Sequence, residues 1–163
     1  MTTVRPTDFR ALIETLAAAE VEFIVVGGIA ATLHGSARAT LDLDVVYRRT
    51  PENIEKLVRA LHPLVPYLRG APAGLPFTLD AGTIRAGLNF TLDTTLGSLD
   101  LLGEIVGGGS YDELLPHTET VTLFGYVCRA VTLDQLIQLK RAAGRPKDLE
   151  VLAELEALRE LRR

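Results

Sequence analysis

The chain has 163 residues, of which 47% are hydrophobic, and its formal net charge at pH 7 is −4. This length and composition fit one domain, so residues 1–163 are expected to form a single unit whose last part, residues 132–163, is helical. The acidic balance argues against binding to long duplex DNA, because such proteins usually carry a basic excess. The sequence shows neither an apolar run near the roughly 20 residues of a membrane span nor a start typical of a signal peptide, so we expect a cytoplasmic protein without membrane association.

The first part of the chain alternates between helix and strand patterns. Apolar residues at helical spacing predict an amphipathic helix over residues 8–20. The β-branched run Glu22-Phe-Ile-Val-Val26 predicts a buried strand that stops at Gly27-Gly28. An alanine-rich segment from Ile29 to His34 predicts a second helix. Leu41-Asp-Leu-Asp-Val-Val-Tyr47 then predicts a strand with one polar face at its beginning.

The middle of the chain is expected to contain a long loop. Thr50-Pro51 predicts a third helix with proline at its first position. Residues 63–76 are rich in proline and glycine, which predicts a loop, and loops of this length often cover functional sites. Residues 77–105 have a strand-like pattern that is clearest at Asn89–Asp93 and at Gly97–Ile105.

The last part of the chain predicts a hairpin followed by two helices. Residues 121–131 fit a hairpin that turns at Gly125. Thr132, followed by Gln135, is typical of a capping box at the start of a helix, and Pro146 predicts the start of the last helix. This order of elements predicts an α/β (α+β) fold, with a mixed β-sheet covered by helices.

Candidate functional residues follow the first strand and occupy the second. Gly27-Gly28 lets a phosphate approach the backbone closely, although a tight strand-to-helix turn would explain the same pair. Asp42 and Asp44 lie two positions apart on a predicted strand, so their carboxylates point to one face. They are either solvated acids on a strand edge or ligands of a cation. Asp100 would join them if its strand lies next to theirs, and oxygen donors without histidine or cysteine favour Mg²⁺ or Mn²⁺.

A family resemblance rests on these residues. Gly27-Gly28, thirteen further residues and then Asp42-Leu-Asp44 resemble the signature of the polymerase-β nucleotidyltransferase superfamily. The wider sequence, including Leu136–Lys140 and Arg145–Leu149, is similar to small bacterial members, namely the abortive-infection (AbiEii-type) toxins and minimal nucleotidyltransferases. The resemblance implies a nucleotidyltransferase-like fold and transfer of NMP from an NTP to a hydroxyl of a tRNA 3′ end, a protein or a small molecule. It also implies a possible partner protein in a toxin–antitoxin pair.

The resemblance assigns roles to single residues. It implies that Asp42, Asp44 and Asp100 are catalytic and hold Mg²⁺, with Asp100 also able to act as a base on the attacking hydroxyl. It implies nucleotide binding by five residues: Gly27, Gly28, Arg38, Lys140 and Asp148. Many members carry Ser or Thr directly after the glycines, whereas this chain has Ile29. The alternative is therefore a catalytically inactive binding protein of the same fold, serving as an antitoxin or a nucleotide sensor.

Overall fold

The computed structural model of the protein describes residues 6–163, which form seven α-helices and nine strands. The helices are α1 (Phe9–Ala18), α2 (Gly27–Leu33), α3 (Pro51–Leu61), α4 (Ala81–Ala86), α5 (Tyr111–Leu114), α6 (Leu133–Ala143) and α7 (Pro146–Leu161). The strands are β1 (Phe23–Val26), β2 (Asp42–Tyr47), β3 (Tyr67–Leu68), β4 (Asn89–Thr94), β5 (Gly97–Leu102), β6 (Glu104–Ile105), β7 (Gly109–Ser110), β8 (Thr118–Leu123) and β9 (Tyr126–Val131).

One mixed sheet of seven strands forms the centre of the described residues, in the order β3-β4-β5-β2-β1-β9-β8. Strand β2 runs parallel to β5 and antiparallel to β1, and β1 runs parallel to β9. The remaining neighbours in this sheet are antiparallel, while β6 and β7 pair separately. The strands that carry the candidate acids, β2 and β5, are therefore neighbours at the centre of the sheet, beside the strand that leads into the glycine pair.

The core lies between this sheet and the helices. Strand β1 is buried at every position because all of its residues are apolar. On β2, Leu43, Val45 and Tyr47 are fully buried and alternate with the two aspartates. Helix α3 contacts α1 and α4, whereas α6 contacts α2 and α7. Helix α1 contacts β9, and α2 contacts β1 and β2, which confirms the predicted α/β class with a mixed sheet covered by helices.

Several predicted element starts are confirmed by their capping bonds. Asp8 caps α1 by accepting a hydrogen bond from the backbone N–H of Ala11, and Thr50 caps α3 directly before Pro51. Thr132 accepts from the backbone N–H of Gln135 at the start of α6. The predicted hairpin turns at Phe124-Gly125, where both residues have positive φ. No helix within residues 6–163 combines the length and the apolar character needed to cross a membrane.

Three predictions of local structure were wrong. The predicted loop over residues 63–76 contains β3, which has two residues and therefore no periodicity to detect. The strand-like segment over residues 77–105 contains α4, a short helix capped by Asp80, whose carboxylate accepts from the backbone N–H of Thr83. Helix α2 begins at Gly27 rather than at Ile29, so the glycine pair forms its first turn.

Candidate active site

Pairing between strands brings three aspartates together on one face of the sheet. Val26, the last residue of β1, pairs with Asp44 of β2, and Asp44 pairs with Asp100 of β5. Directly paired residues point to the same face, as do residues two positions apart such as Asp42 and Asp44. Carboxylate oxygens of Asp42, Asp44 and Asp100 lie within 4.8 Å of one another. The three acids therefore form one cluster, which could hold a divalent cation.

The electrostatic environment of Asp44 reflects this clustering. Burial is the largest of several causes that together raise the pKa of Asp44 to about 8; the others are a hydrogen bond with Asp100 and the charges of Asp100 and Asp42. The charge of Lys140 acts in the opposite direction. A carboxylate that is buried beside like charges is stabilised either by a proton or by a nearby cation. The site therefore favours positive charge at Asp44.

The glycine pair packs directly against β2 and the loop that precedes it. Gly27 has a φ of +66°, and a Cβ atom at this position would overlap the carboxylate of Asp44. A Cβ atom at Gly28 would overlap the side chain of Thr40, whose hydroxyl donates to the backbone carbonyl of Asp42 at 3.2 Å. Glycine is required at Gly27 by its backbone conformation and at both positions by space. The pair thus brings the α2 backbone close to the acids.

A cleft of about 960 Å³ opens over the acids. This volume lies at the upper end of the range for small-molecule and cofactor sites. The cleft is lined by the glycine turn, by residues of the loop between α2 and β2, by the end of α6 and by the start of α7. All eight predicted site residues line it: Gly27, Gly28, Arg38, Asp42, Asp44, Asp100, Lys140 and Asp148.

Asp148 is buried beneath the wall of the cleft and forms ion pairs with two basic side chains. It is buried, with a side chain only 1% exposed, and its oxygens accept from Lys140 Nζ at 3.4 Å and from Arg145 Nε at 2.6 Å. Burial alone would raise the pKa of Asp148, but the hydrogen bond from Arg145 and the charge of Lys140 hold it below its usual value. Because both carboxylate oxygens are engaged, any effect of Asp148 on a ligand would act through Lys140 and Arg145.

Arg38 lies at the rim of the cleft and faces α7. Its half-exposed side chain is 3.7 Å from a carboxylate oxygen of Glu150 and 4.0 Å from one of Glu154. Its backbone N–H donates to the hydroxyl of Ser36, which in turn donates to Glu154. Ile29, in contrast, packs against the apolar core and is not among the residues that line the cleft. The described structure therefore offers no hydroxyl to a ligand at the Ile29 position.

Arg69 was missed by the sequence analysis. It directly follows β3, and its guanidinium donates to Asp100 Oδ1 at 2.7 Å and lies 3.8 Å from Asp42 Oδ2. It also donates to Asp93 and to the backbone carbonyl of Leu92. Nothing in the sequence around Arg69 indicates these contacts, because they depend on the pairing of β3 with β4. Only a prediction that Tyr67-Leu68 is a strand, together with its register on β4, could have indicated the contacts of Arg69.

Two solved structures match the chain over almost its whole length. A Thermotoga maritima protein assigned as a nucleotidyltransferase matches with a TM-score of 0.55 and 14% sequence identity, over 93% of this chain and 94% of that chain. ANT(2")-Ia, an aminoglycoside nucleotidyltransferase solved in complex with adenylyl-2"-tobramycin, matches with a TM-score of 0.54 and 16% identity, over 95% of this chain and 97% of that chain. The chain has the nucleotidyltransferase fold.

These comparisons establish the fold of the chain and nothing narrower. No family model matches the sequence, and no curated protein matches it. The narrower resemblance to AbiEii-type toxins stays a prediction. Because fold alone does not establish an activity, the case for catalysis depends on the residues of the cleft.

Proposed function

We propose that this protein is a magnesium-dependent nucleotidyltransferase, which transfers NMP from an NTP to an acceptor hydroxyl. One observation carries the proposal: carboxylates from two neighbouring strands converge within 4.8 Å at the floor of the cleft. The same chain has the nucleotidyltransferase fold, and its glycine turn lies against one of these carboxylates. An acidic cluster in another fold would support only cation binding.

The three aspartates fit a divalent cation. Asp42, Asp44 and Asp100 provide only carboxylate oxygens, which are the donors that Mg²⁺ and Mn²⁺ prefer. Burial is the largest cause of the raised pKa of Asp44, and the neighbouring Asp100 and Asp42 add to it, so a positive charge at the cluster would offset both effects. When bound, Mg²⁺ would neutralise charge on the triphosphate and favour ionisation of the acceptor hydroxyl.

The residues of the cleft have distinct roles in the proposed reaction. The acceptor oxygen forms a bond to the α-phosphorus, the bond to the bridging oxygen of the β-phosphate breaks, and pyrophosphate leaves. Asp100 takes the proton of the acceptor hydroxyl. Lys140 binds the triphosphate as a cation held in place by Asp148, and Gly27 and Gly28 let the phosphates approach the backbone. Arg38 binds the nucleotide or the acceptor at the rim.

The acceptor is a tRNA 3′ end, a protein side chain or a small molecule. ANT(2")-Ia, which this chain matches along nearly its full length, was solved with an adenylylated small molecule. That neighbour makes a small-molecule acceptor worth including in any assay. We place this activity in the cytoplasm, as the sequence pattern leads us to expect. The sequence resemblance adds a partner protein in a toxin–antitoxin pair.

Calorimetry with each of the four NTPs, with and without Mg²⁺, tests the proposal. Asp42→Asn removes one carboxylate of the cluster, whereas Asp134→Asn changes an exposed aspartate on α6 and serves as the matched control. The wild-type protein and the control are expected to bind at least one NTP in a Mg²⁺-dependent manner, and Asp42→Asn is expected to lose that dependence. Equal Mg²⁺-dependent binding by all three proteins would contradict the proposal.

An inactive binding protein is the second candidate, and the position of Ile29 supports it. Ile29 packs against the core, so the turn lacks the hydroxyl that often contacts a phosphate. A nucleotide sensor of this kind would bind an NTP with the same affinity in the presence of Mg²⁺ and of a chelator. Binding of that kind in both the wild-type protein and Asp42→Asn would favour this candidate.

A further inference from the structure

Arg69 lies in the same row across the sheet as the catalytic candidates. Strand β3 pairs with β4 in the register Leu68↔Leu92, and the next backbone N–H, that of Arg69, donates to the carbonyl of Thr91 at 2.9 Å. Thr91 pairs with Asp100. Pairing thus continues from Arg69 through Thr91 and Asp100 to Asp44. The edge strand β3 thus places the guanidinium of Arg69 beside the acidic cluster.

The Arg69 guanidinium makes specific contacts with the acids rather than a general surface contact. One terminal nitrogen donates both to Asp100 Oδ1 at 2.7 Å and to the carbonyl of Leu92 at 2.8 Å, and the other lies 3.8 Å from Asp42 Oδ2. Nε donates to Asp93 at 3.3 Å. The side chain is 28% exposed, so solvent screens these charges only in part.

We propose that Arg69 competes with the divalent cation for Asp42 and Asp100, so that metal and NTP bind cooperatively. The inference rests on the proposed function, because it assumes that these aspartates hold the metal. A divalent ion at the cluster would be repelled by a guanidinium that already donates to one of its ligands, Asp100. Arg69 must therefore withdraw from Asp100 when the ion binds, and the free ion binds weakly for this reason.

A bound NTP would replace the contact that Arg69 loses when it withdraws from Asp100. A triphosphate in the cleft gives a guanidinium new anionic oxygens, to which arginine binds well with its planar set of donors. The nucleotide would thus stabilise the arrangement in which Asp42 and Asp100 are free for the ion. Such coupling is reciprocal: the ion increases the affinity for NTP by the same factor by which NTP increases the affinity for the ion.

Titration of Mn²⁺ without nucleotide, followed by calorimetry and by the EPR signal of the free ion, tests this competition. Arg69→Ala removes the competing charge, and Arg69→Lys keeps a charge at the same position. Arg59→Ala changes an exposed arginine on α3 and controls for the loss of one positive charge from the protein. We expect Arg69→Ala to bind Mn²⁺ about tenfold more tightly than wild type or more, with Arg59→Ala and Arg69→Lys within about threefold of wild type.

The outcomes separate this inference from the proposed function. Equal or weaker Mn²⁺ binding by Arg69→Ala, with Mn²⁺ still lost in Asp44→Asn, would overturn the role of Arg69 and leave the metal site intact. Absence of Mn²⁺ binding in every protein, with and without NTP, would contradict the metal site and this inference together. Arg69→Ala also removes contacts between β3 and β4, so its melting curve must first show that it is folded.

A second measurement uses the wild-type protein and does not depend on that variant. The NMR signal of the Arg69 Nε–H group, identified by its absence in Arg69→Lys, reports the contact with Asp93. Saturation with Mg²⁺ and a non-hydrolysable NTP is expected to shift this signal. A signal that stays in place at saturation would show that Arg69 does not move, and would overturn the proposal.

Discussion

Asp44 is the residue at which the contacts of the site meet. It faces the backbone of Gly27, pairs across the sheet with Asp100 and lies two positions after Asp42. Burial and these two neighbouring acids raise its pKa to about 8. At neutral pH its carboxyl group therefore holds a proton for most of the time, and a cation that binds there must displace this proton.

The raised pKa of Asp44 predicts how stability depends on pH. In the unfolded chain this carboxyl ionises near 3.8, whereas in the folded protein it ionises near 8. Between these values the folded state binds more protons, so the contribution of Asp44 to stability is complete below the lower pKa and is lost as pH rises through the upper one. We expect Asp44→Asn to raise the melting temperature more at about pH 9 than at about pH 5 in the presence of a chelator.

Melting curves of wild type, Asp44→Asn and Asp134→Asn at the two pH values check this expectation. Asp134→Asn is expected to give the same difference from wild type at both values, because its carboxylate is 77% exposed. Mg²⁺ should stabilise wild type at the higher pH and leave Asp44→Asn unchanged. A difference between Asp44→Asn and wild type that does not vary with pH would count against the coupling of the three acids.

At the level of residues, the sequence predicted the acidic residues of the site but not Arg69, the basic residue that contacts them. Asp42 and Asp44 were predicted to share a face because alternation along a strand is a local property. Asp100 needed the further assumption that its strand is a neighbour, which the pairing of β2 with β5 confirms. Arg69 could not be predicted, because its contact with Asp100 depends on the order of β3, β4 and β5 in the sheet.

Two adjacent basic residues on helix α6, Lys140 and Arg141, point in different directions. The side chain of Lys140 is 19% exposed, lines the cleft and contacts Asp148. The side chain of Arg141 is 52% exposed and pairs with Glu156 on α7. Consecutive residues on a helix point about 100° apart, so only one of the two can face the cleft. Lys140 is the one that faces the cleft, and Arg141 is the more solvated of the two.

This difference in direction predicts different kinetic effects of the two substitutions. Lys140→Ala is expected to raise the KM for NTP by about tenfold or more, since it removes the cation that binds the triphosphate in the proposed reaction. Arg141→Ala removes the same kind of charge from the same helix and is expected to leave KM within about twofold of wild type. Steady-state kinetics on both variants makes the comparison, and equal effects on KM would contradict the assignment of Lys140.

At the level of elements, the sequence was most informative where capping residues and long periodic patterns coincide. Helices α1, α3 and α6 have polar caps at Asp8, Thr50 and Thr132 that were visible in the sequence, and their starts were predicted. Elements too short to show a full helical turn or a repeat of the strand alternation were not predicted. Strand β3 has two residues, and its place in the sheet comes only from its pairing with β4.

For the whole molecule, the C-terminal helices form one wall of the cleft and are held to the rest of the chain by polar contacts. Glu154 on α7 accepts a hydrogen bond from Ser36, in the loop that leads to β2. Arg162, just after α7, donates to the backbone carbonyl of His34 at the end of α2. These contacts explain how Lys140 and Asp148, which follow Asp44 by about a hundred positions, lie in the same cleft. The order of elements in the sequence predicted the fold class, but it did not predict that the C-terminal helices would form a wall of the cleft.

The most direct test of the central claim is a transfer assay that compares two positions of the label. Wild type and Asp44→Asn are incubated with Mg²⁺, total cellular RNA, protein and small-molecule extract, and an NTP labelled at either the α- or the γ-phosphate. The account predicts that wild type incorporates the α-label into an acceptor, releases the γ-label as pyrophosphate, and does neither with a chelator or with Asp44→Asn. Incorporation of the γ-label, or undiminished incorporation of the α-label by Asp44→Asn, would contradict it.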